Sequence, residues 1–355
     1  MNHEFYIQRC LQIAKNGFGT SRPNPAVGAV IVHQNKIIGE GFTSPYGGNH
    51  AEVNAINAVK NKTVLNEATI YVTLEPCAHF GKTPPCADLI VQHRLKQVVI
   101  GTVDSNSLVA GKGIERLRNA EIDLIVGVLE DECKVHHKRF FTVQEKNRPF
   151  IILKWAETKD GFLYPEFVSG FNKVQKELQG EPIWISNQYS QQLVHKLRSK
   201  EHAILVGTNT ALADNPKLNV RSWTGENPVR VVLDRTLRIP KTANVLDGSV
   251  KTIVITETKI VHKESRNSVI FEAIDFSENL AQQICDVLQK HNIQSLIVEG
   301  GAQTLQTFID EDLWDEALVF VGENTFKTGI KSPKINKNYT VENIQSNVLK
   351  KYRND

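Results

Sequence analysis

Short runs of β-branched and aliphatic residues alternate with longer mixed stretches along the chain. The run from Ala68 to Leu74, Ala-Thr-Ile-Tyr-Val-Thr-Leu, is of the first kind and predicts a strand. Ala26 to Val32 and Lys36 to Phe42 predict two more, around a tight turn at His33-Gln34-Asn35. Gln97 to Gly101 and Ile122 to Val126 continue the series. Residues 4–16, Ala51 to Lys60, Ala87 to His93, Ile114 to Asn119 and Glu130 to Gln144 predict the intervening helices. Such alternation implies a sheet with helices on its faces, and places the chemistry in the loops at strand ends.

The pattern breaks near residue 145, where Glu145-Lys-Asn-Arg-Pro149 is polar and ends in proline. Two domains are therefore expected, residues 1–145 and 146–355, as the chain length also suggests. Phe150 to Trp155 opens the second. Strands over 202–206, 229–233, 251–256 and 294–298 then alternate with helices over 187–199 and 279–290, and a further helix starts at Gly301. Residues 161–183 fit no element and are expected to form a long loop.

Composition narrows the class only slightly. The chain has 355 residues, 41% hydrophobic and 23% charged, which is ordinary for a soluble globular protein. Its net charge of +3 implies no polyanion partner, and no basic cluster interleaves with aromatics, so no nucleic-acid surface is expected. No stretch approaches the ~20 apolar residues of a membrane span, and the start lacks the apolar core of a signal peptide. An odd cysteine count, with two cysteines given to metal, points to a reducing cytoplasm.

The chemistry concentrates in His50-Ala51-Glu52, Pro76-Cys77 and Cys86. His50, Cys77 and Cys86 read as three zinc ligands, leaving the fourth tetrahedral position open for water. Glu52 is placed to take a proton from that water and pass it to a leaving group. The helix starting at Ala51 must meet the metal end-on, because residues i and i+2 do not share a face. Its positive N-terminal end favours thiolates. Pro84-Pro85-Cys86 opens another helix in the same way. Cys10, Cys133 and Cys285 read as small buried hydrophobes. The arrangement matches the H-x-E…P-C-x-x-C pattern of zinc nucleobase deaminases, except that eight residues separate the cysteines.

The second half is less explicit. Val298-Glu299-Gly300-Gly301 ends a strand and opens a helix, a turn at which a phosphate meets free N–H groups. Val206 to Thr210 also follows a strand, and Asp214-Asn215-Pro216 reads as a turn. Arg198 and Arg221 are candidates for pairing with a phosphate.

Asn24-Pro-Ala-Val-Gly28, His50-Ala-Glu52 and the stretch from Glu75 to Cys86, with Gly-Lys-Thr-Pro-Pro between its cysteines, resemble the bifunctional riboflavin-biosynthesis deaminase/reductase family. Lys154 to Gly161, Trp184-Ile-Ser186, Gly207 to Arg221 and Val298 to Gly301 resemble its reductase half. The resemblance covers nearly the whole chain. It implies an α/β fold: a cytidine-deaminase-like three-layer α/β/α domain followed by a dihydrofolate-reductase-like α/β domain.

The activities it implies are hydrolytic removal of an amino group from 2,5-diamino-6-ribosylamino-4(3H)-pyrimidinone 5′-phosphate, using Zn²⁺, and reduction of the ribosyl group to ribityl, using NADPH. It further implies a cytoplasmic homo-oligomer, dimer or tetramer, acting on a phosphorylated ribosylaminopyrimidine, with no nucleic acid or membrane partner. By the same resemblance Asn24, His79 and Lys82 lie at the deaminase substrate. Trp184, Thr210, Asp214, Gly300 and Gly301 lie at the cofactor, and Arg198, Leu218, Arg221 and Glu299 at the reductase substrate. The chain departs from the family at Asp104-Ser-Asn-Ser107, which lacks two usual prolines. It also departs at Pro182, where serine is common, and in the length from Gly161 to Trp184.

Overall fold

A computed structural model describes residues 2–80, 84–105, 110–166, 184–257 and 268–354. The chain divides into two compact units, Met1–Arg148 and Pro149–Asp355.

The first unit is built on five strands: β1 (Gly28–His33), β2 (Lys36–Phe42), β3 (Thr69–Leu74), β4 (Gln97–Thr102) and β5 (Asp123–Val126). Their spatial order is β2-β1-β3-β4-β5. The β1–β2 hairpin is antiparallel, as is β1 to β3, while β3, β4 and β5 run parallel. Gln34 and Asn35 make the hairpin turn in the left-handed region, where Asn fits best. Among the described residues five helices complete the unit: α1 (His3–Ala14), α2 (Ala51–Ala58), α3 (Cys86–Gln92), α4 (Lys112–Asn119) and α5 (Glu130–Lys146).

Because strand side chains alternate between faces, each strand supplies two cores. Ala29, Ile31, Ile70, Val72, Val98 and Ile100 pack against Ala55, Ile56, Ala87, Ile90 and Leu117 of α2, α3 and α4. Val30, Val32, Tyr71 and Val99 pack on the opposite face against Tyr6, Ile7, Cys10 and Ile13 of α1 and Cys133 of α5. The result is the expected α/β/α sandwich. One close approach sets the position of α2: a Cβ on Gly41 would lie 2.3 Å from the Ala55 nitrogen, and one on Gly39 2.4 Å from the Ala55 oxygen. Two glycines on β2 thus let α2 lie directly on the strand.

The second unit has a nine-stranded sheet. In chain order its strands are β6 (Phe150–Glu157), β8 (Ala203–Gly207), β9 (Val229–Leu233), β10 (Thr252–Thr256), β11 (Val269–Ala273), β12 (Ser295–Glu299), β13 (Glu316–Val321), β15 (Tyr339–Ile344) and β16 (Asn347–Arg353). The spatial order is β11-β10-β9-β8-β12-β6-β13-β16-β15. The strands from β11 to β13 are parallel, and the terminal β15–β16 hairpin joins β13 antiparallel. Helices α6 (Gln188–Lys200), α7 (Thr208–Asp214), α8 (Leu280–Lys290) and α9 (Ala302–Asp310) pack around it. Leu205, Val231, Ile253 and Leu296 face α8 and α9. Ile204, Val206, Val232 and Ile297 face Ala211 of α7 and Leu197 of α6.

The structure corrects the expected loop over residues 161–183. Its first part, β7 (Phe162–Pro165), is a strand paired antiparallel with β14 (Gly329–Lys331). Residues 167–183, Pro182 among them, lie outside the described residues. A four-residue strand whose partner is more than 160 positions away leaves little local periodicity to read. The strands after residue 310 also escaped the sequence reading; in β15 the residues Tyr339 to Asn343 are all exposed, so no buried face marks the strand.

Candidate functional site

His50 caps α2 in an extended conformation, and Glu52 follows in the first turn. Strand β3 delivers Cys77 just beyond its end, and Cys86 is the first residue of α3, behind Pro85. The helix N-terminus does work here: the Cys86 backbone N–H, which has no partner within α3, donates to Cys77 Sγ at 3.4 Å. His50 Nδ1 lies 3.6 Å from Cys77 Sγ and 3.3 Å from Cys86 Sγ. The three ligand atoms lie within 4.8 Å of one another.

One imidazole nitrogen and two sulfurs at this spacing fit a zinc ion, with one tetrahedral position left over. None of the five cysteines is in a disulfide; Cys10, Cys133 and Cys285 are buried.

Electrostatics reinforce the geometry. Cys77 is pulled down to about 4, chiefly because the Cys86 thiol donates to it and because His50 lies against it. Cys86 is pushed up as the donor of that bond and by burial. His50 is raised by its hydrogen bond to Cys77. A metal must displace the protons these groups share, so binding strengthens as pH rises. Glu52 is 4% exposed. Burial, then the Cys77 charge, push its carboxyl up to about 7. Its place beside the ligand set suits it to exchange a proton with water in the cavity, and a cation bound there would lower its carboxyl again.

These groups open onto a cavity of about 400 Å³, whose lining includes Asn24, His50, Glu52, Cys77, His79 and Asp104. Two of the three expected substrate residues, Asn24 and His79, thus share the cavity with the metal ligands; Lys82 lies outside the described residues. Sequence reasoning missed Phe140 and Gln144, which reach the same cavity from α5 at a spacing of one helical turn. It also missed the role of Glu75. That carboxylate is 4% exposed and accepts from the backbone N–H groups of Asp104, Gly111, Gly113 and Ile114.

In the second unit the candidate residues gather at the carboxyl ends of the parallel strands. Glu299, the last residue of β12, is buried between Lys154 Nζ at 2.6 Å and Arg198 Nη2 at 2.5 Å. The two cations hold its carboxyl down at about 2 against the effect of burial. Arg198 also donates to the Asn219 carbonyl, while its buried Nε has no partner. Arg221 donates its backbone N–H to His195 Nδ1, and burial and the nearby Arg198 lower its guanidinium. Arg198, ion-paired with Glu299 but with an orphaned Nε, and Arg221 are the guanidinium donors that would suit a phosphate here.

Gly300 and Gly301 both adopt positive φ, +91° and +74°. A Cβ on Gly300 would lie 2.8 Å from Thr210 Cγ2, and one on Gly301 3.3 Å from Thr210 Oγ1. The Thr210 side chain therefore packs directly over the glycine pair, which only residues without a Cβ allow at these positive φ values. Asp214 ends α7, raised by burial. Leu218 is buried against Val206, Ala211 and Ile297, so its side chain belongs to the core beneath the site. Trp184 is 55% exposed, and no described contact joins it to Thr210 or the glycine pair.

Two family models match the chain. The cytidine and deoxycytidylate deaminase zinc-binding region matches residues 1–102, and the RibD C-terminal domain matches residues 149–323. Fold, metal site and these matches define a class: bifunctional enzymes that join a zinc-dependent deaminase to an NADPH-dependent reductase. The riboflavin biosynthesis protein RibD of Aquifex aeolicus is 39% identical over 92% of this chain and 88% of its own length. That of Bacillus amyloliquefaciens is 36% identical over 88% and 82%. A diaminohydroxyphosphoribosylaminopyrimidine deaminase/5-amino-6-(5-phosphoribosylamino)uracil reductase from Thermotoga maritima superposes with a TM-score of 0.85, at 37% identity over 99% of this chain and 98% of that one. RibD of Acinetobacter baumannii gives 0.82 at 31% identity, over 98% of both chains. The chain belongs to the RibD family of riboflavin-biosynthesis enzymes.

Proposed function

We propose that residues 1–145 remove the 2-amino group of 2,5-diamino-6-ribosylamino-4(3H)-pyrimidinone 5′-phosphate by hydrolysis. Residues 146–355 then reduce the ribosyl group of 5-amino-6-(5-phosphoribosylamino)uracil to ribityl. The observation that carries the first half is the meeting of His50, Cys77 and Cys86 beside a buried Glu52. Zinc held by those three ligands supplies a water of lowered pKa. Glu52 would take a proton from the water whose oxygen bonds to the ring carbon and pass it to the amino nitrogen, whose C–N bond breaks to release ammonia. Asn24, His79 and Lys82 hold the pyrimidine phosphate in the cavity.

In the second half NADPH supplies the hydride, and the protein orients donor and acceptor. Thr210, Gly300 and Gly301 cradle the cofactor, with Trp184 and Asp214 beside it. Arg198 and Arg221 take the substrate phosphate, and Glu299, fixed by Lys154, faces the sugar above Leu218. Among the described residues no helix is long and apolar enough to cross a membrane. Cytoplasmic residence, a homo-oligomeric state and the absence of a nucleic-acid partner belong to the same proposal, the last supported by the near-balanced charge.

Metal analysis combined with a coupled assay tests the reading. One zinc per chain, ammonia release from the pyrimidine phosphate, and NADPH oxidation that depends on the first step are expected. Ammonia release without NADPH consumption would instead mark a single-activity deaminase with a binding domain attached.

A further inference from the structure

Glu75 is a carboxylate buried at the rim of the deaminase cavity, and none of the described ion pairs involves it. Its charge is met by backbone instead. Oε2 accepts from the N–H of Asp104 at 3.2 Å and of Gly111 at 3.0 Å, and Oε1 from Gly113 at 2.8 Å and Ile114 at 3.1 Å. Three of these donors belong to the cap and first turn of α4, whose positive end faces the carboxylate. The fourth belongs to Asp104, which lines the cavity.

Glu75 is itself held, because its own N–H donates to the Thr102 carbonyl at 3.0 Å. The clamp also reaches the metal loop. A Cβ on Gly113 would lie 2.0 Å from the Pro76 oxygen, so α4 rests directly on the residue before Cys77. An apolar side chain would fill this space at less desolvation cost, but it would leave four N–H groups without acceptors.

We infer that Glu75 is a positioning residue for the deamination: its carboxylate fixes Asp104 and the start of α4 against the Pro76-Cys77 loop, and so sets where the substrate sits relative to the metal. This inference rests on the deaminase reading above. Asp104 contributes to the substrate-side wall, so loosening the clamp weakens substrate binding first, while the metal ligands and Glu52 keep their places.

Glu75→Gln tests this. The variant keeps shape and volume but turns one acceptor into an N–H₂ group facing N–H donors. At a temperature well below unfolding, ammonia release should show KM raised about tenfold or more with kcat within about threefold, at one zinc per chain. Amide hydrogen exchange should quicken at Asp104, Gly111, Gly113 and Ile114. In an Asp104→Ala background the same change should add less than about twofold, because both variants act through one element.

A KM within about twofold of wild type, or a loss confined to kcat and zinc content, overturns the inference. If Glu75→Gln does not fold, Glu75→Asp, which keeps the charge on a shorter arm, carries the same measurement. Failure of both to yield zinc-loaded protein also overturns it, since Glu75 is then needed for the fold itself. A wild-type protein that releases no ammonia sinks the deaminase reading instead, and that outcome is seen before any variant is made.

Discussion

In the first unit the candidate reacting groups come from one stretch of chain, His50 to Cys86, and sit at two helix starts and one strand end. In the second they come from Lys154, Arg198, Thr210, Arg221 and Glu299, and only the order of the parallel strands brings them together. The first site is thus set by local geometry, and the second by sheet topology. A metal accounts for the contrast: it needs its ligand atoms converged within a few ångströms, which short loops achieve well. A dinucleotide and a sugar phosphate span a longer crevice and need contacts from several strands.

The largest break in this comparison should come from Glu52→Gln. The metal stays ligated while the proton carrier is lost, so ammonia release should fall by about 10²- to 10⁴-fold at unchanged zinc content. Reduction of a supplied uracil intermediate should stay intact. Near wild-type ammonia release would remove Glu52 from its role. Cys86→Ser should come next, with zinc below one equivalent per chain by metal analysis and deamination lost in proportion. Unchanged zinc affinity would argue against that ligand.

Arg221→Ala should act on the other unit alone. Losing one charged contact to a phosphate costs about 1.5–3 kcal/mol, which corresponds to a rise in the reductase KM of roughly tenfold or more. Equal loss in the deaminase assay would show that the two sites are not independent.

The same contrast explains what could be read from the sequence. His50, Cys77 and Cys86 beside Glu52 could be read as a metal site because they match a known motif in all but the wider cysteine spacing, and β3 was legible from its β-branched run. Five of the parallel strands of the second unit were legible as apolar runs such as Val229–Leu233, while β11 and β13 were not. Glu75 was not, since its four partners lie 29 to 39 residues onward and are backbone groups that carry no sequence signal. Phe140 and Gln144 were hidden within a helix read as a boundary element. In the second unit Lys154 looked like any strand lysine until the sheet set it beside Glu299. Leu218 packs among Val206, Ala211 and Ile297, and Trp184 is exposed, so the roles expected for them rest on the resemblance alone.

The smallest expected effect is a difference in how the units respond to acid. His195 in the second unit is lowered to about 4, by burial first and then by Arg198 and Arg221. His136 in the first is lowered to about 4 by burial, and the fully buried His137 falls well below its usual value. A histidine held neutral in the fold takes up its proton only in the unfolded chain once pH drops below about 6.5. Stability is therefore full above that value and falls as pH approaches 4.

Glu299, lowered to about 2, adds a second stage. Its charged form is favoured in the fold, so its contribution is present above about 4.5 and is lost from there down to about 2. Both units should lose stability between pH 6.5 and 4, on the order of a few kcal/mol and more in the first, which holds two such histidines against one, and below 4.5 Glu299 should add a further loss in the second. Denaturant midpoints across pH, read with Glu299→Gln alongside wild type, separate the stages. A flat midpoint from pH 7 to 4 would mean that the buried histidines take up protons without unfolding. A second stage that survives Glu299→Gln would place its origin outside the Lys154–Glu299–Arg198 cluster.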